Sequence, residues 1–393
     1  MKKLTRRGFL ITASAATLAA AASTSIAAPF PAGLGRRRIF VGSNRPEGIL
    51  AFDWDPATGE LTAAGVAAKL ENVDWITYSP GREFLYAASE VDSFNDKATG
   101  AVASFSVANG GLQPLSAQNS AGKGTCHVAL DRTGKILVSA DYSGGSVASF
   151  LVTDGRLDPA FWTEHYIGRG PNSDRQQSAH AHFASFSPDN RFAYINDLGS
   201  DCIHIYYLQL PSPNWDNRPV FMTRALGLIY AGSYFAKKGA GPRTLHFHPN
   251  GHTAYSINEL DSTVDVLEWN PANGRLALVS RIELLPASYH GDTHACDTVI
   301  SKDGRFVYFA NRGDNSIYFF RADEKTGSLT REGRFDCGGK IPRNFVLDPT
   351  ERWMLVANQS SNQISVFARN PETGTLAAEG KNFPAAEPMC ILF

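Results

Sequence analysis

The sequence predicts an all-β fold, a seven-bladed β-propeller of four-stranded blades. Three observations lead there. A block of turn residues, followed by alternating aromatic and small residues, recurs along residues 38–393. Its anchors Gly81, Gly134, Asn190, Gly251, Gly304 and Glu351 lie 47 to 61 residues apart. Each interval has room for four short strands and shows no long helical period. Units of this size cannot bury their apolar faces alone, and radial repetition buries them against each other. At 43% hydrophobic and 19% charged, the composition is globular, which excludes disorder as the dominant state.

Residues 1–28 read as an address. Lys2, Lys3, Arg6 and Arg7 are followed by an uncharged apolar stretch from Gly8, and Ser25-Ile26-Ala27 offers the small residues of a cleavage site. Thr5-Arg6-Arg7-Gly8-Phe9-Leu10 adds the twin-arginine signature, so the export machinery of that name is an expected partner. Residues 29–37 are a linker, and the mature chain is expected in the periplasm or secreted, with no stable membrane insertion. Without the signal, 33 basic side chains face 38 acidic ones, about −5. That mildly acidic body argues against nucleic acid as a partner.

The blades follow in order. A truncated copy opens at Ile39-Phe40-Val41-Gly42. Full copies begin at Ser79-Pro80-Gly81, Asp131-Arg132-Thr133-Gly134, Ser187-Pro188-Asp189-Asn190, His248-Pro249-Asn250-Gly251, Ser301-Lys302-Asp303-Gly304 and Asp348-Pro349-Thr350-Glu351. Second runs such as Ser146-Val147-Ala148-Ser149-Phe150 are strands by composition. The turns Pro56 to Leu61 and Pro371 to Leu376, with relatives from Pro271 and Lys325, punctuate hairpins. Residues 209–240, with Pro211, Pro213, Trp215 and Pro219, read as an insertion loop between blades. The first copy lacks its innermost strand, and Glu387 to Phe393 fits the template of one. The C-terminal strand is therefore expected to complete the first blade and remove two unpaired edges.

Aligned on the turn residue, seven positions on, the copies carry Ala88, Asp141, Asp197, Asn258, Asn311 and Asn358. Short polar residues at one address read as architecture that caps a turn. One position further they differ: Ser89, Tyr142, Leu198, Glu259, Arg312 and Gln359. Symmetry does not ask for these types, so function is the expected cause. Eight positions before the turn residue stand Val73, Cys126, His182, Arg243, Cys296, Arg343 and, through the clasp, Met389. The neighbouring column adds Asp74, His127, Thr244, Asp297 and Asn344. This is the start of the innermost strand, facing the central channel. His182, Arg243, Glu259, Arg312 and Arg343 are thus expected around one channel mouth. Guanidinium forks bind carboxylate or phosphate oxygens, and Glu and His move protons. The structural alternative is a ring of Arg–Glu ion pairs that only stiffens the channel.

No metal and no cofactor is expected. Five scattered cysteines without a Cys-x-x-Cys pair form neither a zinc site nor a disulfide framework. His180 and His182 alternate along a strand, so a regular strand points them to opposite faces, and His246 with His248 fails likewise. His290 and His294 fall in a loop. Gly-x-Ser-x-Gly is absent, which favours direct attack by water over an acyl-enzyme.

Asp141-Tyr142-Ser143-Gly144-Gly145-Ser146-Val147, Gly241-Pro242-Arg243, Asn258-Glu259-Leu260, Asn311-Arg312-Gly313 and Ala357-Asn358-Gln359 resemble the seven-bladed lactonase family over about residues 38–393. That family includes propeller-type 6-phosphogluconolactonases and carboxymuconate-cyclising enzymes. The resemblance implies a small-molecule lactone substrate and chemistry without a required metal. By motif it puts catalysis on His182, Arg243, Glu259 and Arg312. Substrate contacts are expected at Arg343, an accessory anion contact from the inner column, and at Tyr142, Asn258 and Gln359. The sequence departs from the family at Thr244, where many relatives carry His, and at Asn190 and Glu351, where the turn glycine is lost. Lactone hydrolysis with Glu259 or His182 as general base is the first expectation. A carboxymuconate-type cyclase or lyase and a non-catalytic binding propeller are the alternatives.

Overall fold

Seven antiparallel sheets form, one from each copy of the repeat. The computed structural model describes residues 35–210 and 227–393. The expected signal of residues 1–28 and the Trp215 segment lie outside the described residues. Six blades have four strands, and blade 3 adds a short fifth. Among the described residues there is no α-helix.

The clasp is present. Pro388–Leu392 pairs antiparallel with Arg37–Ser43, Phe40 opposite Leu392 and Gly42 opposite Cys390, so the two ends of the chain share blade 1. Blades 2 to 7 then follow in chain order, each running from its innermost strand at the channel outward to the rim.

The core is divided into seven slabs, one between each pair of neighbouring blades. Phe40, Ile49 and Ala51 of blade 1 meet Ile76, Leu85 and Ala87 of blade 2, and Ile39, Phe52 and Trp54 meet Leu355 and Ile364 of blade 7. The hairpin turns do more than punctuate. Tyr194 of blade 4 donates its hydroxyl to the Gly274 carbonyl at 2.8 Å, and Tyr255 of blade 5 does the same to Gly327 at 2.7 Å. Between blades 7 and 1, Trp353 Nε1 donates to the Pro56 carbonyl at 2.9 Å. Gly274 sits at φ +74, and a Cβ there would lie 2.4 Å from the Phe192 ring, so glycine is required twice over.

Two readings are corrected. Residues 209–240 are not all insertion: Gly227–Phe235 is the outermost strand of blade 4, paired with Cys202–Gln209. Its irregular mixture of Gly, Ser and aromatic residues hides the strand period. In blade 2 the residue with the left-handed turn conformation is Arg82, at φ +67, not Gly81. The other blades use Gly134, Asn190, Gly251, Gly304 and Glu351 at φ +57 to +78. The blade 2 columns therefore move by one residue. Ser89 joins the buried polar column, Glu90 joins Glu259 and Arg312, and Asp74 joins His182 and Arg243.

Candidate active site

Every innermost strand bulges near its start. The register skips Asp74 between Val73 and Trp75, His182 between Ala181 and Phe183, Arg243 between Pro242 and Thr244, and Arg343 between Pro342 and Asn344. Cys126 and Met389 are skipped in the same way. A bulge re-aims the extra side chain, and repeated around a ring it turns one residue per blade inward. These six residues line a central cavity of about 10 Å³, the size of one water molecule.

Glu259 is the centre of the charge arrangement. It is 1% exposed and occupies the first position past the second strand of blade 5. Its Oε1 takes a 2.6 Å hydrogen bond from Arg175, and its Oε2 lies 3.0 Å from Arg243 Nε and 2.8 Å from Arg312 Nη2. Burial alone would raise this carboxyl. The guanidiniums of Arg312, Arg243 and Arg175 outweigh it and hold Glu259 well below the usual carboxylate range. Arg243 also donates to the Cys296 carbonyl across the blade 5–6 boundary. Arg312 Nε is buried without a hydrogen-bond partner among the described residues.

His182 is 6% exposed, and its Nδ1 is buried without a hydrogen-bond partner among the described residues. Burial, reinforced by the charge of Arg243, holds its pKa well below the ordinary histidine value, so the ring is neutral. Tyr142 joins this group. Its hydroxyl accepts a 3.0 Å bond from Arg175, the same guanidinium that reaches Glu259. Its ring stacks on His180 at 4.5 Å and meets His182 edge-on at 5.5 Å. The expectation that His180 and His182 must diverge is thus corrected. The bulge at His182 breaks strand alternation, and both imidazoles touch one phenol.

Around the ring, Arg343 Nη2 lies 2.9 and 3.1 Å from the two oxygens of Asp74. Glu90 sits close enough to feel both. Burial first, then the Asp74 charge, raises the Glu90 carboxyl to about 7. The guanidiniums of Arg175, Arg243, Arg312 and Arg343 share the mouth with the carboxyls of Glu259, Asp74 and Glu90, and Asp297 lies close enough to act on Arg243.

His182, Arg243, Glu259, Arg312 and Tyr142 therefore come together, with Arg343 beside them. Asn258 does not join them: it is fully buried and donates to Thr263 at 2.9 Å, inside its own blade. Gln359 opens the 3-10 turn Gln359–Ser361, and its backbone N–H donates to Ile341. Its side chain makes no hydrogen bond to the cluster among the described residues. Glu90 and Arg175 escape the column reading, and Asp74 falls in the neighbouring column instead of beside His182 and Arg243. The one-residue turn offset displaces Asp74 and Glu90. The strand start Phe84, aligned with Ile136, Phe192 and Phe306, is the signal that corrects it. Arg175 comes from an irregular loop between blades 3 and 4, where the repeat has no column.

A propeller whose bulge-lined channel mouth gathers guanidiniums around one buried carboxylate is charged where a structural ring needs only apolar packing. The chain belongs to the family described as lactonase, 7-bladed beta-propeller, which it matches over residues 38–393. The 6-phosphogluconolactonase of Bacillus subtilis (strain 168) is 32% identical over 308 residues, 78% of this chain and 82% of that one. The periplasmic gluconolactonase of Pseudomonas aeruginosa superposes with a TM-score of 0.81 at 30% identity, covering 91% of this chain and 98% of that one. A protein from Lactobacillus plantarum superposes at 0.82 with 27% identity, over 91% and 99%.

Proposed function

We propose that this protein hydrolyses a lactone bearing a carboxylate or phosphate, or a closely related sugar lactone, at the mouth of the propeller channel. The observation that carries the reading is the convergence of Arg175, Arg243 and Arg312 on the buried Glu259. Burying such a network is costly and adds little stability over apolar packing, which makes function its better explanation. The names of the Bacillus subtilis and Pseudomonas aeruginosa relatives support lactone chemistry.

The central cavity of about 10 Å³ is too small for a sugar ring, so the substrate approaches from the rim, where the Arg175 side chain is 34% exposed. Arg175 and Arg312 hold the substrate anion and the oxyanion of the tetrahedral intermediate. Neutral His182 takes the proton of the attacking water. The ring carbon–oxygen bond breaks, and the same proton returns to the departing oxygen. Both Glu259 oxygens are committed to guanidiniums, so Glu259 positions them rather than acting as the base.

Residues 1–28 direct twin-arginine export in this proposal, and the mature chain works in the periplasm or outside the cell, a reading supported by the periplasmic character of the Pseudomonas aeruginosa gluconolactonase. The test is a turnover screen of the mature chain on phosphorylated and unphosphorylated sugar lactones, with product analysis. Ring-opened hydroxy acids are expected. Unsaturated diacid products point to the lyase reading, and no turnover across the panel rejects an enzymatic role on lactones.

A further inference from the structure

Blade 4 differs from its neighbours where its second and third strands meet. In blade 3, Asp141 ends the second strand and accepts a 2.8 Å hydrogen bond from Ser146 opposite it. In blade 5, Asn258 and Thr263 make the equivalent contact at 2.9 Å. Blade 4 places Cys202 opposite Asp197 instead. A thiol is a weak donor. Asp197 is fully buried, and its Oδ2 has no hydrogen-bond partner among the described residues.

Two residues on from Cys202, and so on the same face of the strand, stands His204. Its Nε2 lies 3.4 Å from Cys202 Sγ and 3.5 Å from Asp197 Oδ2. Its Nδ1 lies 3.3 Å from the hydroxyl of Ser233, directly across on the outermost strand, and Tyr166 stacks on the ring at 3.9 Å. All three candidate ligand atoms fall within 4.8 Å of one another. In a tetrahedral site with bonds of about 2.0–2.3 Å, ligand atoms sit about 3.3–3.8 Å apart. Two of the three separations already have that length.

We propose that Asp197, Cys202 and His204 bind a divalent transition-metal ion of the zinc type. Sulfur, imidazole nitrogen and carboxylate oxygen form a donor set that suits zinc or cobalt(II) better than calcium or magnesium. A carboxylate and a thiolate neutralise a dication, so the bound site carries no net charge in the interior. The Cys202 proton leaves to solvent as the sulfur–metal bond forms. Ser233 is placed to receive the Nδ1 proton, which fixes the His204 tautomer with Nε2 toward the metal. The fourth position is left to water or a small anion. The site is outside the channel but linked to it. Asp197 Oδ1 accepts the His180 N–H at 2.8 Å, and the His180 ring stacks on Tyr142 at the mouth. A metal here anchors the rim loop rather than joining in the chemistry.

The test is titration of the purified full chain with cobalt(II), followed by absorption. One equivalent is expected to bring up a thiolate-to-cobalt charge-transfer band in the near ultraviolet, and zinc is expected to abolish it. Cys202→Ser installs the hydroxyl that blade 3 carries at the same address, so it is expected to fold and to lose the band. His204→Gln gives a second variant should the first not fold. Cys337→Ser, in another blade, is expected to keep the band. Absence of a band in the native chain, or its survival in folded Cys202→Ser or His204→Gln, overturns the proposal.

Discussion

Arg343 of blade 7 and Asp74 of blade 2 meet across the channel, one guanidinium nitrogen lying 2.9 and 3.1 Å from the two carboxylate oxygens. The pair leaves Glu90 beside a carboxylate already satisfied. Its own carboxyl is raised to about 7, by burial first and the Asp74 charge second, from the ordinary 4.5. Between these two values the folded chain holds a proton that the unfolded chain has released. This group therefore favours the folded state at low pH, and its contribution fades as pH rises from 4.5 through about 7. Glu90→Gln is expected to narrow the difference in melting temperature between about pH 5 and about pH 8, mostly by raising the value at the higher pH. Melting curves across that range check it, and an unchanged slope removes Glu90 as the titrating group.

Glu259→Gln takes away the negative charge on which Arg175, Arg243 and Arg312 converge. Breaking a buried ion pair from one side costs about 3–5 kcal/mol, because the partner charges stay buried without compensation. The variant is expected to unfold at clearly lower urea and to lose lactone turnover at least tenfold. Arg243→Ala, which strands Glu259 with two partners instead of three, is expected to cut turnover similarly with a smaller stability loss. Equilibrium unfolding and steady-state rates on the same preparations separate the two effects.

The ring, the blade number and the clasp are legible in the sequence because each rests on something repeated. Turn residues, strand lengths and the missing first strand all recur or fail to recur at a fixed period. The inward-facing column is legible for the same reason, since the bulge in six of the seven innermost strands returns one residue to the channel. What repeats least is lost first. Glu90 drops out and Asp74 falls one column aside because Gly81 attracts the alignment, although Arg82 holds the turn at φ +67. Arg175 lies in a loop of blade 3–4 that no other copy matches. Asn258 was drawn into the site by its motif, yet its side chain serves Thr263 within the blade.

Arg175 reaches Glu259 and Tyr142 from that loop while its side chain stays 34% exposed, so it can meet a substrate without being part of the packed core. Arg175→Ala is expected to raise KM for an anionic lactone at least tenfold, to change kcat less, and to leave the melting temperature nearly unaltered. The native enzyme's KM is expected to rise with salt, and the variant's to rise less, because the lost charge is the accessible one. Salt series of kcat and KM for both proteins check this. Equal salt dependence in the two places the anion elsewhere.

Ring closure can be tested at Gly42, which faces Cys390 across the seam where the two ends of the chain pair. A Cβ at Gly42 would lie 2.8 Å from both Cys390 Sγ and the Val73 carbonyl oxygen, closer than such atoms approach. The backbone there needs no glycine for its own conformation, so close approach is the whole reason for the residue. Gly42→Val is therefore expected to wedge the C-terminal strand away from blade 1, at about 1–3 kcal/mol for overpacking. Removing Met389–Phe393 acts on the same seam more strongly. It strips the innermost strand from blade 1 and exposes the Arg37–Ser43 edge to other chains. The truncated chain is expected to associate on size exclusion and to lose cooperative unfolding, while Gly42→Val stays monodisperse but melts early. A truncated chain that remains monodisperse and melts in a single sharp transition removes the clasp as the element that holds the ring shut.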